Sequence, residues 1–406
     1  MSTRAPSVFR SRSFGLFFAG QAFGYVGDGL RLIAIPLLVY HLTGSALSTG
    51  ITYALELGPF AIFGLVGGSL ADRLDRRTLM IACDLVRFVV MVLFAIGYAR
   101  GALSIPAIYV GIALLSIAAA IFIGGQASSI PYLIGKDRAT QAVSALLAAE
   151  QISQTIVPPV GGALFALAGP LPALVANALT YLVSQLSLSA IHTLGPSVTS
   201  GLPSPREIVV DIATGFRYMF EDATMRSLSL ASLFFNFFAL MTGAVLIAFL
   251  KRDFGASDVV VGYALGIGAI GAVVGSFLAG HTPKTWPFGR VLVIAYALYA
   301  VTFVPVMVAH DLRVVVAFLA ITNACLLFII AQIVGWRMRV TPEALVGRVF
   351  GAVRLVVLVG TVPGALIGGY LADRYGARLP IVVSGFGYVA MALAMATFPS
   401  IRRERR

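Results

Sequence analysis

Apolar runs long enough to cross a lipid bilayer recur twelve times along this chain, and that repetition limits its fold more than any other feature. They are centred roughly on residues 14–40, 46–70, 79–99, 104–126, 140–168, 171–191, 226–250, 258–280, 288–309, 314–336, 347–371 and 379–398. A hydrocarbon core about 30 Å thick takes about 20 apolar residues of α-helix. Only 11% of the 406 residues are charged and 59% are hydrophobic, too few charges to give every helix of a soluble protein a polar face. The expected class is an all-α integral membrane protein with twelve transmembrane helices.

The charges that are present set an orientation. With the N-terminus in the cytoplasm, 20 of the 29 Lys and Arg residues fall in the two tails and the even-numbered connections. Six (Arg100, Lys251, Arg252, Arg313, Arg374 and Arg378) fall on the other side, and Arg31, Arg87 and Arg354 stay within spans. By the positive-inside rule both termini are expected in the cytoplasm, in the cell's inner membrane. The net charge of +12 is thereby accounted for without nucleic acid. Arg4, Arg10 and Arg12 resemble the basic start of a signal peptide, but the apolar run behind them is too long and continues through Asp28 and Arg31, so an uncleaved first helix is expected. Cys83 and Cys325 lie far apart inside apolar segments and suggest neither a disulfide nor a metal site.

Composition changes between residues 193 and 225, from the Pro/Gly/Ser stretch "HTLGPSVTSGLPSP" to "REIVVDIATGFRYMFEDATMRS". In the latter, Ile208, Ile212, Phe216, Met219 and Phe220 recur at helical spacing beside charges, which predicts an amphipathic helix at the cytoplasmic membrane surface. The linker divides the spans into an N-terminal bundle (1–192) and a C-terminal bundle (226–406), two pseudo-symmetric six-helix units. At an offset of 207 residues Gly64, Gly68 and Ser69 align with Gly271, Gly275 and Ser276, and Gly161 and Gly162 with Gly368 and Gly369. Duplicated halves around a midplane site are the architecture of secondary transporters that work by alternating access. No GxxxxGK[ST] loop points to nucleotide-driven pumping.

Behind the second span, "GGSLADRLDRR" (67–77) concentrates charge. Small residues at its start let another helix approach closely, and Asp72, one turn on, can face the positive N-terminal end of a neighbouring helix. Arg73, Arg76 and Arg77 hold the loop in the cytoplasm, and Asp84 and Arg87, one turn apart in the third span, extend the same network. The expected role is a cytoplasmic latch that closes in one state and opens in the other.

At this point the chain resembles the major facilitator superfamily. The family's loop motif, a glycine followed four residues later by Asp-Arg and then by Gly-Arg-Arg or Gly-Arg-Lys, is matched by Gly68, Asp72, Arg73, Arg76 and Arg77, with Asp75 where the glycine usually stands. A copy, "GGYLADRYGAR", follows the eleventh span. "GQAFGYVGDGLRLIAIPLLVYHLTGSAL", "GFRYMFEDATMRSL" and "PEALVGRVFGAVRLVVLVGTVPGALIGGYLADRYG" are similar to the macrolide-efflux and enterobactin-exporter branch, along essentially the whole chain. In the fifth span, "VPPVGG" matches the Gly-Pro-x-x-Gly-Gly of the superfamily's antiporters at Pro158, Gly161 and Gly162, with Val157 in the first glycine position. The resemblance implies the major facilitator fold and export. The arginine that proton-coupled drug antiporters often carry in the fourth span is absent from "IPAIYVGIALLSIAAAIFIGG".

A charge at the bilayer centre costs about 2.5–3.5 kcal/mol even on lenient scales, so each one inside a span needs a partner, a cavity or a role. Asp28 and Arg31 share a helix face, with Asp28 about 18 Å from the outer end of its span; Glu56 lies about 15 Å down the second span. These three are expected at one depth, as a protonation switch or as a permanent ion pair. Glu150, mid-span and seven residues before "VPPVGG", is a candidate for coupling or substrate contact, or for a hydrogen bond between helices. Arg354 is expected to snorkel or to join the latch. Phe235 and Asn236 in "SLFFNFFAL" are candidates for a cavity wall, and Trp286 and Trp336 for interfacial anchors.

The resemblance implies a monomeric transporter that exports a hydrophobic or amphiphilic small molecule (a drug, macrolide or siderophore) in exchange for protons, and no cofactor or metal is expected. A lipid or metabolite transporter, by uniport or import, and a non-transporting membrane receptor of the same fold are the alternatives. Four histidines scattered near span ends form no nucleophile and base set, so no enzyme is expected.

Overall fold

The computed structural model describes residues 8–192, 194–195, 205–283, 285–342 and 345–398; the tails and the Pro/Gly/Ser part of the linker lie outside them. After a short 3-10 turn at Val8–Arg10 the described chain forms α1 (Arg12–Thr43), α2 (Ala46–Arg73), α3 (Arg76–Ala99), α4 (Ile105–Ile134), α5 (Lys136–Ala168), α6 (Pro170–Ser189), α7 (Pro205–Glu221), α8 (Ala223–Phe254), α9 (Asp258–Gly280), α10 (Phe288–Val308), α11 (Leu312–Val340), α12 (Val346–Tyr375) and α13 (Arg378–Thr397). Short polar side chains start several of them. Ser104, Asp222, Ser257 and Asp311 accept backbone N–H bonds from the first turns of α4, α8, α9 and α11, and Gly255 closes α8 with φ 64°. Eleven described helices are long and apolar enough to cross a bilayer. The thirty-three-residue α5 carries Lys136, Asp137, Arg138 and Glu150 and is the twelfth long helix, which is consistent with twelve spans.

The chain divides into two compact units, Met1–Ile35 with Gly58–Ser204 and Pro36–Leu57 with Pro205–Arg406. In the first, α3 packs between α4 and α6, and Phe14, Phe17, Met80, Phe122 and Leu188 share one core. Gly29 and Gly161 let α1 and α5 touch: a Cβ on Gly161 would press into Leu30 and Ile33, and one on Gly29 into Val157.

In the second unit α8 packs along α12, and α11 along α9 and α10. Gly360, Gly364 and Gly368 present one face of α12 to the backbone of α8 at Leu233, Phe237 and Met241, a register of four on both helices. Gly161 and Gly368, which align at the internal offset, thus each pack against the first long helix of their own half. Gly271 and Gly275 seat α9 on the backbone of α11 at Ala320 and Ala324 in the same way.

The amphipathic segment is α7, whose Phe220 is 42% exposed while the side chains of Ile208 and Ile212 lie outside the described residues. It lies along the start of α12, where Gly215 admits the Arg348 carbonyl, Met219 is buried and the Tyr218 hydroxyl donates to the Val340 carbonyl at 3.1 Å. Trp336 corrects an expectation: it is 2% exposed and stacks on Phe288 at 5.3 Å, so it is a core residue and not an interfacial anchor. Trp286 is exposed.

Candidate functional site

Two carboxylates and two guanidiniums meet inside the first unit around one tyrosine. Arg31 pairs with Asp28 at 3.4 Å one turn along α1, and Arg87 with Asp84 at 3.5 Å one turn along α3. From α6 the Tyr181 hydroxyl donates to Asp28 at 2.9 Å, while the Arg87 guanidinium lies over the rings of Tyr181 (5.4 Å) and Phe122 (4.7 Å). Asp28, Asp84 and Arg31 all lie within electrostatic reach of Arg87. Burial makes this cluster costly unless its charges cancel, which two acids and two arginines do. The Asp28 side chain keeps 28% of its surface open, whereas that of Asp84 has none.

Asp84 and Arg87, read from the sequence as an extension of the cytoplasmic latch, thus sit with Asp28 and Arg31. Tyr181, which joins the pairs, carries no sequence signal beyond a tyrosine in an apolar span.

A second polar group adjoins it. Gln126 on α4 donates to Gln21 (2.9 Å) and to the Tyr25 hydroxyl (2.6 Å) on α1, and Tyr25 lies within electrostatic reach of both Asp28 and Glu150. Glu150 on α5 accepts from Gln154 at 3.2 Å. Gly161 and Gly162 are buried, and the side chain of Pro158 lies outside the described residues. Glu56 is buried in the second unit, within electrostatic reach of Tyr53. Arg354 is exposed on α12.

The loop motif after α2 serves helix ends. Gly68 and Asp72 belong to α2, with side-chain placement outside the described residues, and Arg73 is exposed. Asp75 caps α3, accepting the backbone N–H of Thr78 at 2.8 Å and its hydroxyl at 2.6 Å. Its φ of −58° is open to any residue, so the family's glycine is not needed there and a capping side chain takes its place. Arg76 is buried and donates to the carbonyls of Ala71 and Ser128, and Arg77 to those of Leu188 and Ser189 at the end of α6, where a cation meets the negative helix terminus. The Thr78 hydroxyl bond holds the Asp75 carboxyl below the usual carboxylate range. Its stabilisation is therefore complete above the unfolded value and lost as pH falls through the lowered one. Asp75→Ala is expected to cost about 1 kcal/mol and Asp75→Asn little, in thermal melts of the purified chain near neutral pH.

The copy "GGYLADR" shows what the motif's spacing does. Gly369 and Asp373 lie one turn apart on α12. A Cβ on Gly369 would strike the backbone of Ala46 and Leu47, so only glycine allows α12 this close to the start of α2. From there Asp373 accepts the N–H groups of Ala46 (3.0 Å) and Leu47 (2.9 Å) and the Ser45 hydroxyl (2.6 Å), capping α2 from outside. Arg252 at the end of α8 closes the group, donating to Asp373 at 2.8 Å and to the carbonyls of Ala372 and Gly44. Beside it Arg378 bonds Asp253 at 3.0 Å and the Ala309 carbonyl.

Phe235 is 3% exposed among Tyr296, Tyr299 and Tyr388, and Asn236 returns its amide to the Ser232 carbonyl on its own helix. Among the described residues no group of three or more His, Cys, Asp or Glu could hold a metal ion.

A family model described as transmembrane secretion effector matches residues 1–405. The chain is 24% identical over 406 residues to the multidrug efflux pump Tap of Mycobacterium tuberculosis, covering 97% of this chain and 94% of the pump. It is equally identical, over 410 residues and with the same coverage, to the enterobactin exporter EntS of Escherichia coli. Among solved structures it is similar to the nucleoside transporter NupG (TM-score 0.76, 13% identity, 96% of this chain and 100% of that one). It is also similar to a bacterial homologue of the human lysosomal transporter Spinster (TM-score 0.71, 16% identity, 98% of each). At such identities the structures show the fold alone, that of the major facilitator transporters.

Proposed function

We propose a function from the premise that this chain belongs to the transmembrane secretion effector family of the major facilitator superfamily. It is a multi-pass membrane transporter and not an enzyme. Our reading is that it exports a hydrophobic or amphiphilic small molecule from the cytoplasm by alternating access, in exchange for protons, as a monomer in the inner membrane with both termini cytoplasmic. The names of the aligned relatives, a multidrug pump and a siderophore exporter, support export, and the basic tails and even-numbered connections support the orientation.

The observation that carries proton exchange is the cluster around Tyr181. Asp28 is its open carboxylate and Asp84 its sealed one, so a proton or a cationic group reaches Asp28 first. Protonation removes the negative partner of Arg31 and leaves the cluster with an excess positive charge, which favours a rearrangement that restores neutrality. Deprotonation reverses this. One carboxylate that binds cargo and proton in turn is sufficient for antiport.

The test uses inverted vesicles holding a pH gradient, offered macrolides, cationic dyes and siderophores in turn. Proton release is expected on addition of one compound, and Asp28→Asn is expected to reduce it by about 5–150-fold, the span of an ordinary coupling free energy. Compound movement without proton release rules out the exchange and leaves export standing. Binding without movement favours a receptor.

A further inference from the structure

The second unit carries a slot of its own. It runs between α9 and α10 with α11 as its floor, and consists of two adjoining cavities of about 670 and 350 Å³ that share Trp286 and Val291. The smaller is walled by hydrocarbon, including Leu278, Leu298, Ile321 and Phe328. The larger has polar lining: Gln332 bridges the Ala279 carbonyl (3.1 Å) and the Thr282 hydroxyl (2.8 Å), and Arg339 lines it two turns further along α11. Arg339 is exposed and makes no hydrogen bond or ion pair among the described residues.

Three properties select the occupant. From Ile321 to Arg339 the floor is about 27 Å long, against about 20–22 Å for half a bilayer with its headgroups. Its polarity is graded, apolar at one end and cationic at the other, and Trp286, 59% exposed, stands where the two meet, as indoles do at headgroup depth. The floor is also rigid, because Gly271 and Gly275 lock α9 onto α11. A neutral apolar molecule would satisfy the hydrocarbon end and leave the guanidinium unanswered.

We propose that this slot is a site for an anionic phospholipid, with one acyl chain lying on α11 between α9 and α10 and the phosphate headgroup held by Arg339.

The two tryptophans provide the assay. In a Trp336→Phe variant Trp286 is the single indole, and the purified chain is placed in bilayers containing brominated phosphatidylglycerol or brominated phosphatidylcholine. Phosphatidylglycerol is expected to quench Trp286 at about fivefold lower mole fraction, the weight of about one basic contact at a membrane surface. Arg339→Ala is expected to abolish that preference and Arg339→Lys to keep it. Equal quenching by the two lipids, or a preference that survives Arg339→Ala, overturns the proposal. If Trp336→Phe does not fold, the unaltered chain gives the same comparison, because Trp336 is shielded from lipid at 2% exposure.

Discussion

Replacing Asp84 by leucine is expected to destabilise the protein by about 3–5 kcal/mol, the cost of removing one member of a buried ion pair. Replacing its partner, Arg87→Met, is expected to cost less, about 1–3 kcal/mol. The asymmetry follows from what each survivor can do. A carboxyl stranded at 0% exposure takes up a proton and becomes a neutral polar group. A stranded guanidinium cannot shed its proton. The rings of Phe122 and Tyr181 offset part of that cost, by about 2 kcal/mol for a desolvated cation.

Arg87 then has one carboxylate left within electrostatic reach, Asp28. Asp84→Leu should therefore reduce transport out of proportion to its stability, because the carboxylate proposed to bind proton and cargo becomes a permanent counter-ion. The double variant Asp84→Leu/Arg87→Met removes both charges and should recover most of the stability, since paired buried charges are often replaceable by apolar groups. Apparent melting temperatures of the three variants in detergent test the order. Arg87→Met found less stable than Asp84→Leu would show that Asp84 remains ionised and that the pair is held differently.

Part of this site was legible in the sequence. Charges inside an apolar run are conspicuous, and Asp28 with Arg31 and Asp84 with Arg87 are each one turn apart, so both pairs follow from helix periodicity. Which pair meets which does not follow, because that depends on how α1, α3 and α6 pack. Asp84 and Arg87 lie near the basic loop in sequence, which groups them with it, whereas Tyr181, 153 positions from Asp28, joins them to Asp28 in the fold. The spans were legible for the same reason that they form, since hydrocarbon demands length and apolarity whatever the neighbours are. Trp336 departs from its expected interfacial place because an indole near a span end has the same local sequence whether it faces lipid or, as here, the ring of Phe288. Asp75 was the reverse case: it departs from the family motif, and its chemistry as a cap explains the departure.

The motif copy at 368–374 leads to the last expectation. Asp373→Ala removes the acceptor that caps α2 together with the carboxylate paired to Arg252, whose side chains are 27% and 35% exposed. A lost cap costs about 0.5–2 kcal/mol and a half-exposed pair about 0–1 kcal/mol. The group holding the start of α2 is thus weakened by about 0.5–3 kcal/mol, and each 1.4 kcal/mol changes a population tenfold. That is the right scale for a latch, strong enough to favour one state and weak enough to open during turnover. Thr49, 0% exposed one turn below the cap, reports on it. In a chain with Cys83 and Cys325 replaced by alanine, Thr49→Cys is expected to resist maleimide, and added Asp373→Ala to accelerate labelling about tenfold. Asp373→Asn keeps one acceptor oxygen, which can serve the Ser45 and Leu47 donors or the Ala46 donor but not all three, and loses the charge that holds Arg252, so it should fall between. Equal labelling rates in all three would mean that Asp373 only finishes a helix. The graded series would instead make "GGYLADR" a working counterpart of the loop motif after α2, in which glycine permits the approach of two helices and aspartate, one turn later, holds it.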